Sequence, residues 1–532
     1  LRRRGGIWKN SRVTPRADSP LPPDPASLLA MIAALRGELD EERAARRAAE
    51  LGLQARTLEA EQLRVQIARL RQERYGRSSE KLAGEVEQLE LRLDEVLAEI
   101  EAARDAEEAA EPETKAPRRG RKPLPENLPR RDVEHLPAAG CACQACGGTL
   151  RKVGEDVTEI LEYRPGRFEV VRHVRPAFSC RACEAMMQAP MPSLPIERGR
   201  PGPGLLAHVL VAKYCDHLPL YRQTEIYARD GIDLPRGLLA GWVGRSAMLA
   251  EPMAVLIGRH ALAGARLHVD DTPMPTLAPG RGRTQIARAW AYLRDDRPFG
   301  GTDPPAVFYE FTPDRKGEHP QRRLRGFHGI LQADAYSGFN ALYEGGAVIE
   351  AACWAHARRY FHDEVVAHDS PLAREALERM QPLFAIEAEI YGQAPEARLA
   401  ARLARSAPIM AALKAWMEAT VPRIPGRSDL AKAFRYSLAH WRALTTVLRD
   451  GRACLSNNAA ERRMRPLALG RKNYLFAGSL AGGRRAAIIY TLIGTAELNG
   501  WDPEAYLRTL LERIAAHPIN RLEELAPWRL RP

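Results

Sequence analysis

The chain is 532 residues long, 45% hydrophobic and 27% charged, values that describe three or four ordinary domains rather than one. Lysine and arginine outnumber aspartate and glutamate by 79 to 67, a formal charge of +12 that favours a polyanionic partner such as nucleic acid. No run of about 18 apolar residues exists, which excludes a membrane-spanning helix, and the basic stretch from Leu1 to Arg16 has no apolar core of a secretory signal behind it.

Residues 1–25 are rich in Arg and Pro without periodicity and are expected to be a disordered leader. From 26 to 111 Ala, Leu, Glu and Arg dominate. Leu28, Ile32, Leu35 and Leu39, then Leu82, Val86, Leu89, Leu93, Val96 and Ile100, alternate by three and four residues. That spacing predicts the seam of a coiled coil that joins copies of the chain, the alternative being a long helix packed on its own domain. Residues 112–140 form a Pro-rich basic linker. Its Arg119, Arg121 and Lys122 are candidates for contact with a narrow minor groove, or form a solvated hinge.

Five of the eight cysteines fall between 141 and 183. In a chain without a signal this points to metal ligands in a reducing compartment. Cys143 and Cys146, then Cys180 and Cys183, make two C-x-x-C knuckles, the ligand set of a structural Zn²⁺, with Cys141 able to stand in for Cys143. The β-branched and aromatic residues between them predict a zinc ribbon over 141–197. Residues 198–258 read as helical, and Asp230-Gly231-Ile232-Asp233 between two helices suggests a helix-turn-helix-like DNA-binding segment.

From 262 the texture changes. Strands are expected at 265–276, 288–294, 306–312, 329–335 and 348–354, with helices near 320–327, 338–343 and 357–366. This order matches a ribonuclease-H-like α/β catalytic domain, here 262–480 with a helical insertion at about 368–450, followed by a C-terminal helical region at 481–532. In that fold the first and fourth strands are neighbours, which brings Asp270 to Asp334; Glu461 supplies a third acid. Three such carboxylates can hold two Mg²⁺ (or Mn²⁺) ions about 4 Å apart. Asp271 could replace Asp270, Asp334 could be a turn residue, and Glu461 could close a capping box with Asn458. Arg358, Arg359, Arg462, Arg465, Arg471 and Lys472 surround the acids and suit a phosphodiester backbone, or pair with the insertion's acids. Cys353 and His356 are two metal-type ligands without an evident second pair.

Motifs along nearly the whole chain are similar to those of the insertion sequence 66 (IS-66) family of DDE-type transposases. They are Arg74-Tyr-Gly-Arg-Ser-Ser-Glu-Lys81, the paired knuckles, Lys213-Tyr-Cys-Asp-His-Leu-Pro-Leu-Tyr-Arg222, Asp270-Asp-Thr-Pro273, Gln332-Ala-Asp-Ala-Tyr-Ser-Gly-Phe339, Cys353-Trp-Ala-His-Ala-Arg-Arg359, Asn457-Asn-Ala-Ala-Glu-Arg462 and Gly470-Arg-Lys-Asn-Tyr-Leu-Phe-Ala-Gly-Ser479. One departure is Ser456, where many relatives have Asp. The resemblance implies a cytoplasmic, nucleoid-associated bacterial DNA transposase. Asp270, Asp334 and Glu461 would be its acids, its partners element ends, target DNA, further copies of itself and small accessory proteins. A nuclease that cuts without joining and a silent DNA-binding descendant are the rival readings.

Overall fold

The computed structural model describes residues 128–136, 149–164, 166–196, 199–277, 284–474 and 477–530, with Leu124, Glu126 and scattered helical positions between 36 and 63. Most of the expected coiled coil, the basic linker with Arg119, Arg121 and Lys122, and Cys141, Cys143 and Cys146 lie outside the described residues.

The first sheet is built on a long hairpin, β2 (Leu150–Arg164) and β3 (Arg167–Cys180), whose turn uses Gly166 at φ 85°, a conformation glycine adopts without steric cost. Strand β1 (Arg130–Glu134) pairs with β3 in parallel and β4 (Met186–Gln188) antiparallel. The turn end of the hairpin is buried: Leu161, Phe168 and Val170 join the main core. Glu162 accepts the N–H of Leu205 at 2.7 Å, in the first turn of α1 (Pro203–Tyr214). A carboxylate at that end of a helix satisfies an otherwise orphaned donor and complements the dipole.

Helices α2 (Leu220–Arg229) and α3 (Arg236–Leu262) flank the expected Gly231 turn. Their packing departs from a free helix-turn-helix. Along α3, Leu239, Trp242, Val243, Ala247, Ala250, Met253, Ile257 and Ala261 are buried in the main core. The residues left exposed on it are Met248, Glu251, Val255 and Arg259. A helix apolar on most faces belongs to a core, so α3 supports the sheet, with Arg236 and Arg245 partly exposed and Arg259 exposed on its free side.

The second sheet begins with an antiparallel meander, β5 (Arg266–Leu277), β6 (Thr284–Arg294) and β7 (Ala306–Thr312). After α4 (Glu318–Arg323), β8 (Gly329–Gln332) joins the other side of β5 in parallel. After α5 (Asn340–Glu344), β9 (Val348–Ala351) joins β8 in parallel, giving the order β7-β6-β5-β8-β9. Ile330 and Leu331 are both fully buried, the signature of a strand covered on both faces. Each expected strand and helix of this stretch is present, with β8 and β9 ending about three residues earlier than their sequence spans.

Helix α6 (Trp354–His368) leads into an all-helical insertion, α7 (Pro371–Glu389), α8 (Pro395–Ala401), α9 (Ala407–Thr420) and α10 (Asp429–Ala439), whose core around Met380, Leu383, Met417 and Phe434 continues into Ile330 of β8, Ala351 of β9 and Trp354. Two buried arginines tie it to the chain beyond. Arg402 pairs with Glu387 at 2.6 Å and donates to the Ala453 carbonyl at 2.8 Å; Arg398 donates to the Gly451 carbonyl at 2.9 Å. Buried guanidinium groups persist when paired and fully bonded, and here their carbonyl partners belong to the loop that leads to α11 (Asn458–Tyr474).

The C-terminal helices α12 (Leu480–Leu498) and α13 (Pro503–Arg513) share the main core with α1, α3 and the sheet. The breaks expected at 258 and 481 are therefore not breaks in packing. Helix α12 also closes the open edge of β7. Thr495 Oγ1 accepts from Val307 N–H at 3.1 Å and donates to Val307 O at 3.0 Å, and Thr491 Oγ1 accepts from Tyr309 N–H at 2.9 Å. A covered edge removes a template for unwanted strand pairing. Replacing Thr495 by Val would orphan the Val307 N–H inside the core. Chemical denaturation is expected to show a loss of about 1–3 kcal/mol, most of it restored by Thr495→Ser.

Candidate functional site

Asp270 lies midway along β5, Asp334 two residues beyond β8 and Glu461 in the first turn of α11. The parallel register of β5 and β8 ends with His268 opposite Gln332, and Asp270 and Asp334 each lie two residues beyond that pair. Asp270 lies within electrostatic range of the other two carboxylates. Burial pushes the Asp270 carboxyl up to about 7, the charges of Asp334 and Glu461 add to the rise, and the Asp271 N–H at 2.9 Å opposes it. Past Asp334 the chain turns through Ala335 at φ 63°, a left-handed conformation that costs a side chain-bearing residue about 1–2 kcal/mol. The Tyr436 hydroxyl donates to the Asp334 carbonyl at 3.3 Å, so the insertion helps hold that turn.

Asp271 is committed elsewhere. Its side chain is 3% exposed and bound by Arg288 at 2.9 Å and Arg315 at 2.8 Å. Arg315 Nη2 also stands 3.7 Å from Asp334 Oδ2. Two guanidinium partners saturate the Asp271 oxygens, which leaves Asp270 as the acid of this pair open to a cation.

Glu461 is not a capping-box residue. The N–H groups of Ala460 and Glu461 both donate to the Asn457 carbonyl, so Asn457 is the cap of α11 and Glu461 sits one position past the capping-box place. The Asn457 N–H that such a box would use donates instead to Cys353 Sγ at 3.1 Å. Glu461 faces Arg359 at 3.1 Å and His356 at 3.4 Å. His356, then Arg359, holds its carboxyl below the usual range against its burial. His356 is in turn raised to about 10, by Cys353 first and Glu461 next.

Asn457 is the residue that sequence reasoning passed over. Its Nδ2 donates to the Val269 carbonyl at 2.8 Å, and its Oδ1 lies 2.9 Å from His268 Nδ1. Burial, then Arg266, pushes His268 down to about 3, so its ring is neutral and the network requires the proton on Nδ1. The signal was the repeated polarity of Ser456-Asn457-Asn458 beside an alternating strand. Gln332 works alongside it, donating to Ala352 O at 2.9 Å and accepting from Cys454 N–H at 3.1 Å.

The basic residues divide into two groups. Arg358, Arg359 and His362 on α6 line one open groove with Asn458, Glu461, Arg462 and Arg465 on α11, and the four arginines are exposed. Arg471 is elsewhere: its guanidinium donates to the Pro273 carbonyl and lines an apolar recess with Tyr474 and Tyr490. Its partner is internal because the last turn of α11 packs on β5. Lys472 is exposed one residue on, outside the groove.

The donor sets suit two kinds of metal. Oxygen-only carboxylates suit a hard cation such as Mg²⁺. Asp270, Asp334 and Glu461 are not all within 4.8 Å of one another, and acids that share two ions need not enclose a single one. In the first sheet, Cys180 is buried at the end of β3 and accepts the Ala182 N–H at 3.4 Å, with Cys183 exposed in the following turn. That N–H to sulfur turn fits a Zn²⁺ knuckle.

Comparison with known proteins adds an independent line. The family model described as "Transposase IS66 family" matches residues 198–485, just over half of the chain. Further matches are "zinc-finger binding domain of transposase IS66" over 141–184, "Transposase C of IS166 homeodomain" over 62–133 and "IS66 C-terminal element" over 491–528. Among curated proteins, y4hP of Sinorhizobium fredii is 42% identical over 489 residues, 88% of each chain. From the same organism, y4qI is 38% identical over 540 residues, 98% of this chain and 99% of its own.

Two outcomes follow from the geometry. The folded protein binds the Asp270 proton more tightly than the unfolded chain does. Without added metal, Asp270 therefore subtracts stability as pH rises from about 4 through about 7. Thermal melting from pH 5 to 8 is expected to show wild type losing stability relative to Asp270→Asn. Asn457→Ala is expected to cost about 2–4 kcal/mol, since it orphans the His268 and Val269 groups, as read by denaturant unfolding.

Proposed function

Because the chain belongs to the IS66 family of transposases, we propose that it is the DDE-type enzyme of an insertion sequence. In this reading it frees a 3′-hydroxyl at each element end and joins that end to target DNA. What supports the reading is the convergence of Asp270, Asp334 and Glu461, from a strand, a strand end and a helix start, into mutual electrostatic range. The sheet order β7-β6-β5-β8-β9, three antiparallel strands followed by two parallel ones, supports a ribonuclease-H-like catalytic domain.

Asp270, Asp334 and Glu461 would hold two Mg²⁺ (or Mn²⁺) ions, which when bound supply charge stabilisation to the attacking and leaving oxygens of an in-line displacement. The remaining work falls to the chain. Asp270, with its raised affinity for a proton, would have to release that proton to solvent to serve as a cation ligand. Asn457 and Gln332 fix the positions of β5, β8 and the start of α11, so that the acids meet without rearranging. Arg358, Arg359, Arg462 and Arg465 line the groove beside Glu461 and would grip backbone phosphates, which orient the scissile bond but carry no sequence information. Element-end recognition would then rest on the zinc ribbon, on α2 and on the basic linker with Arg119, Arg121 and Lys122. Zn²⁺ on Cys143, Cys146, Cys180 and Cys183 would be structural, since four protein ligands leave no position for water. The heptad stretch at 26–111 would join copies of the chain so that two ends are brought together.

The test uses purified protein, Mg²⁺ and a plasmid carrying the flanking DNA. Metal-dependent 3′-end cleavage and joining are expected in wild type, with a loss of at least 10³-fold in Glu461→Gln and Asp270→Asn, the scale at which removal of one group from a catalytic set is felt. Joining that survives both substitutions would overturn the assignment, and nicking without joining would point to a nuclease. Arg462→Ala and Arg465→Ala are each expected to reduce the slope of log affinity against log salt by about 1, measured by fluorescence anisotropy.

A further inference from the structure

Glu461 has a second set of neighbours that the three-acid reading does not use. Cys353 caps the start of α6, His356 lies in the first turn of that helix and Glu461 in the first turn of α11. Their donor atoms all lie within 4.8 Å of one another, and among the described residues they are the group of three His, Cys, Asp or Glu side chains close enough to share one ion. Two separate helix starts therefore bring three unlike donors to one point.

The ion pair between His356 and Glu461 is also spaced to admit a metal. His356 Nδ1 and Glu461 Oε1 are buried, face each other at 3.4 Å and have no hydrogen-bond partner. Ligand atoms about 2.0–2.1 Å from a tetrahedral ion stand roughly 3.4 Å apart, so the gap has the width a shared cation requires. Arg359 bonds the other oxygen, Glu461 Oε2, at 3.1 Å, which leaves Oε1 for the ion. Cys353 Sγ is fully buried and accepts the Asn457 N–H at 3.1 Å, and a donor aimed at sulfur favours the thiolate that a metal needs.

We propose that Cys353, His356 and Glu461 form a binding site for a borderline-soft divalent cation of the Zn²⁺ type. Thiolate and imidazole select such an ion over Mg²⁺, which prefers oxygen alone. Three protein ligands leave a fourth position open to water or to a phosphate oxygen, and Glu461 itself lines the arginine groove. An ion here holds Glu461 toward His356 and withholds it from Asp270 and Asp334, so zinc would restrain the Mg²⁺-dependent reaction. That consequence rests on the function proposed above; the binding itself does not.

The experiment is a Co²⁺ titration of full-length protein stripped with a chelator, in millimolar Mg²⁺ to fill oxygen-only sites. It is read by thiolate-to-cobalt charge-transfer absorption and by ions retained per chain. Wild type is expected to retain two ions, one on the cysteine knuckles and one on the triad. Cys353→Ser, and His356→Gln as a variant at a partly exposed position, are expected to retain one. Thermal melting of the stripped proteins identifies any variant that has not folded. A wild type that saturates at one ion overturns the proposal, as does a second ion that survives His356→Gln in folded protein. The readout needs no DNA. A protein that binds two Co²⁺ ions but still cuts nothing in Mg²⁺ after the triad ion is stripped would count against the transposase reading alone, and one ion in an active transposase against the triad alone.

Discussion

The arrangement depends on one buried side chain. Asn457 is 1% exposed, and its three polar groups reach two elements: Nδ2 the backbone of β5, Oδ1 the neutral ring of His268 on the same strand, and N–H the sulfur of Cys353 at the start of α6. Its carbonyl then accepts the first bonds of α11. A primary amide is well suited to this, because it offers a donor and an acceptor at once and carries no charge to bury. In a low-dielectric interior each unmet group would cost the full desolvation penalty. The cap of α11 is thereby fixed to the strand that carries Asp270, and Glu461 with it.

The helical insertion acquires a physical role from the same constraint. Glu461 stands 127 residues after Asp334, 461 less 334, and a chain that leaves for so long must return to a defined place. Arg398 and Arg402 secure that return by donating to carbonyls of the loop at 451–453, with Glu387 paired to both. The Gln332 side chain receives the loop at Cys454, and Trp354 N–H bonds to Leu455. The insertion thus shares a core with β8, β9 and α6 and is also bolted to the loop that leads to α11.

Electrostatics at the centre are balanced between opposites. Asp270 is lifted toward neutrality by burial and by like charges, whereas Glu461 is held ionised by His356 and Arg359. Asp271, adjacent in sequence, is neutralised by Arg288 and Arg315. Environment gives these carboxylates different tasks, as is common where a site must receive cations and polyanions together.

Much of this was legible in the chain. The succession of strands from Arg266 to Ala351 followed from alternation and turn residues, and the expectation that Asp270 lies near Asp334 followed from matching that succession to a ribonuclease-H-like sheet, in which the first and fourth strands are neighbours. The knuckle spacing of Cys180 and Cys183 and the basic character of Arg358, Arg359, Arg462 and Arg465 are local features that chemistry alone makes readable. Tertiary structure decided the rest. It made α3 a core helix, gave Arg471 an internal carbonyl, committed Asp271 to two arginines, joined α12 to the edge of β7 and set Cys353 and His356 beside Glu461. Each of these depends on which atoms meet across more than ten, and often more than a hundred, residues. A sequence states local periodicity and donor type, whereas the partner of a side chain is chosen only when the chain folds back on itself.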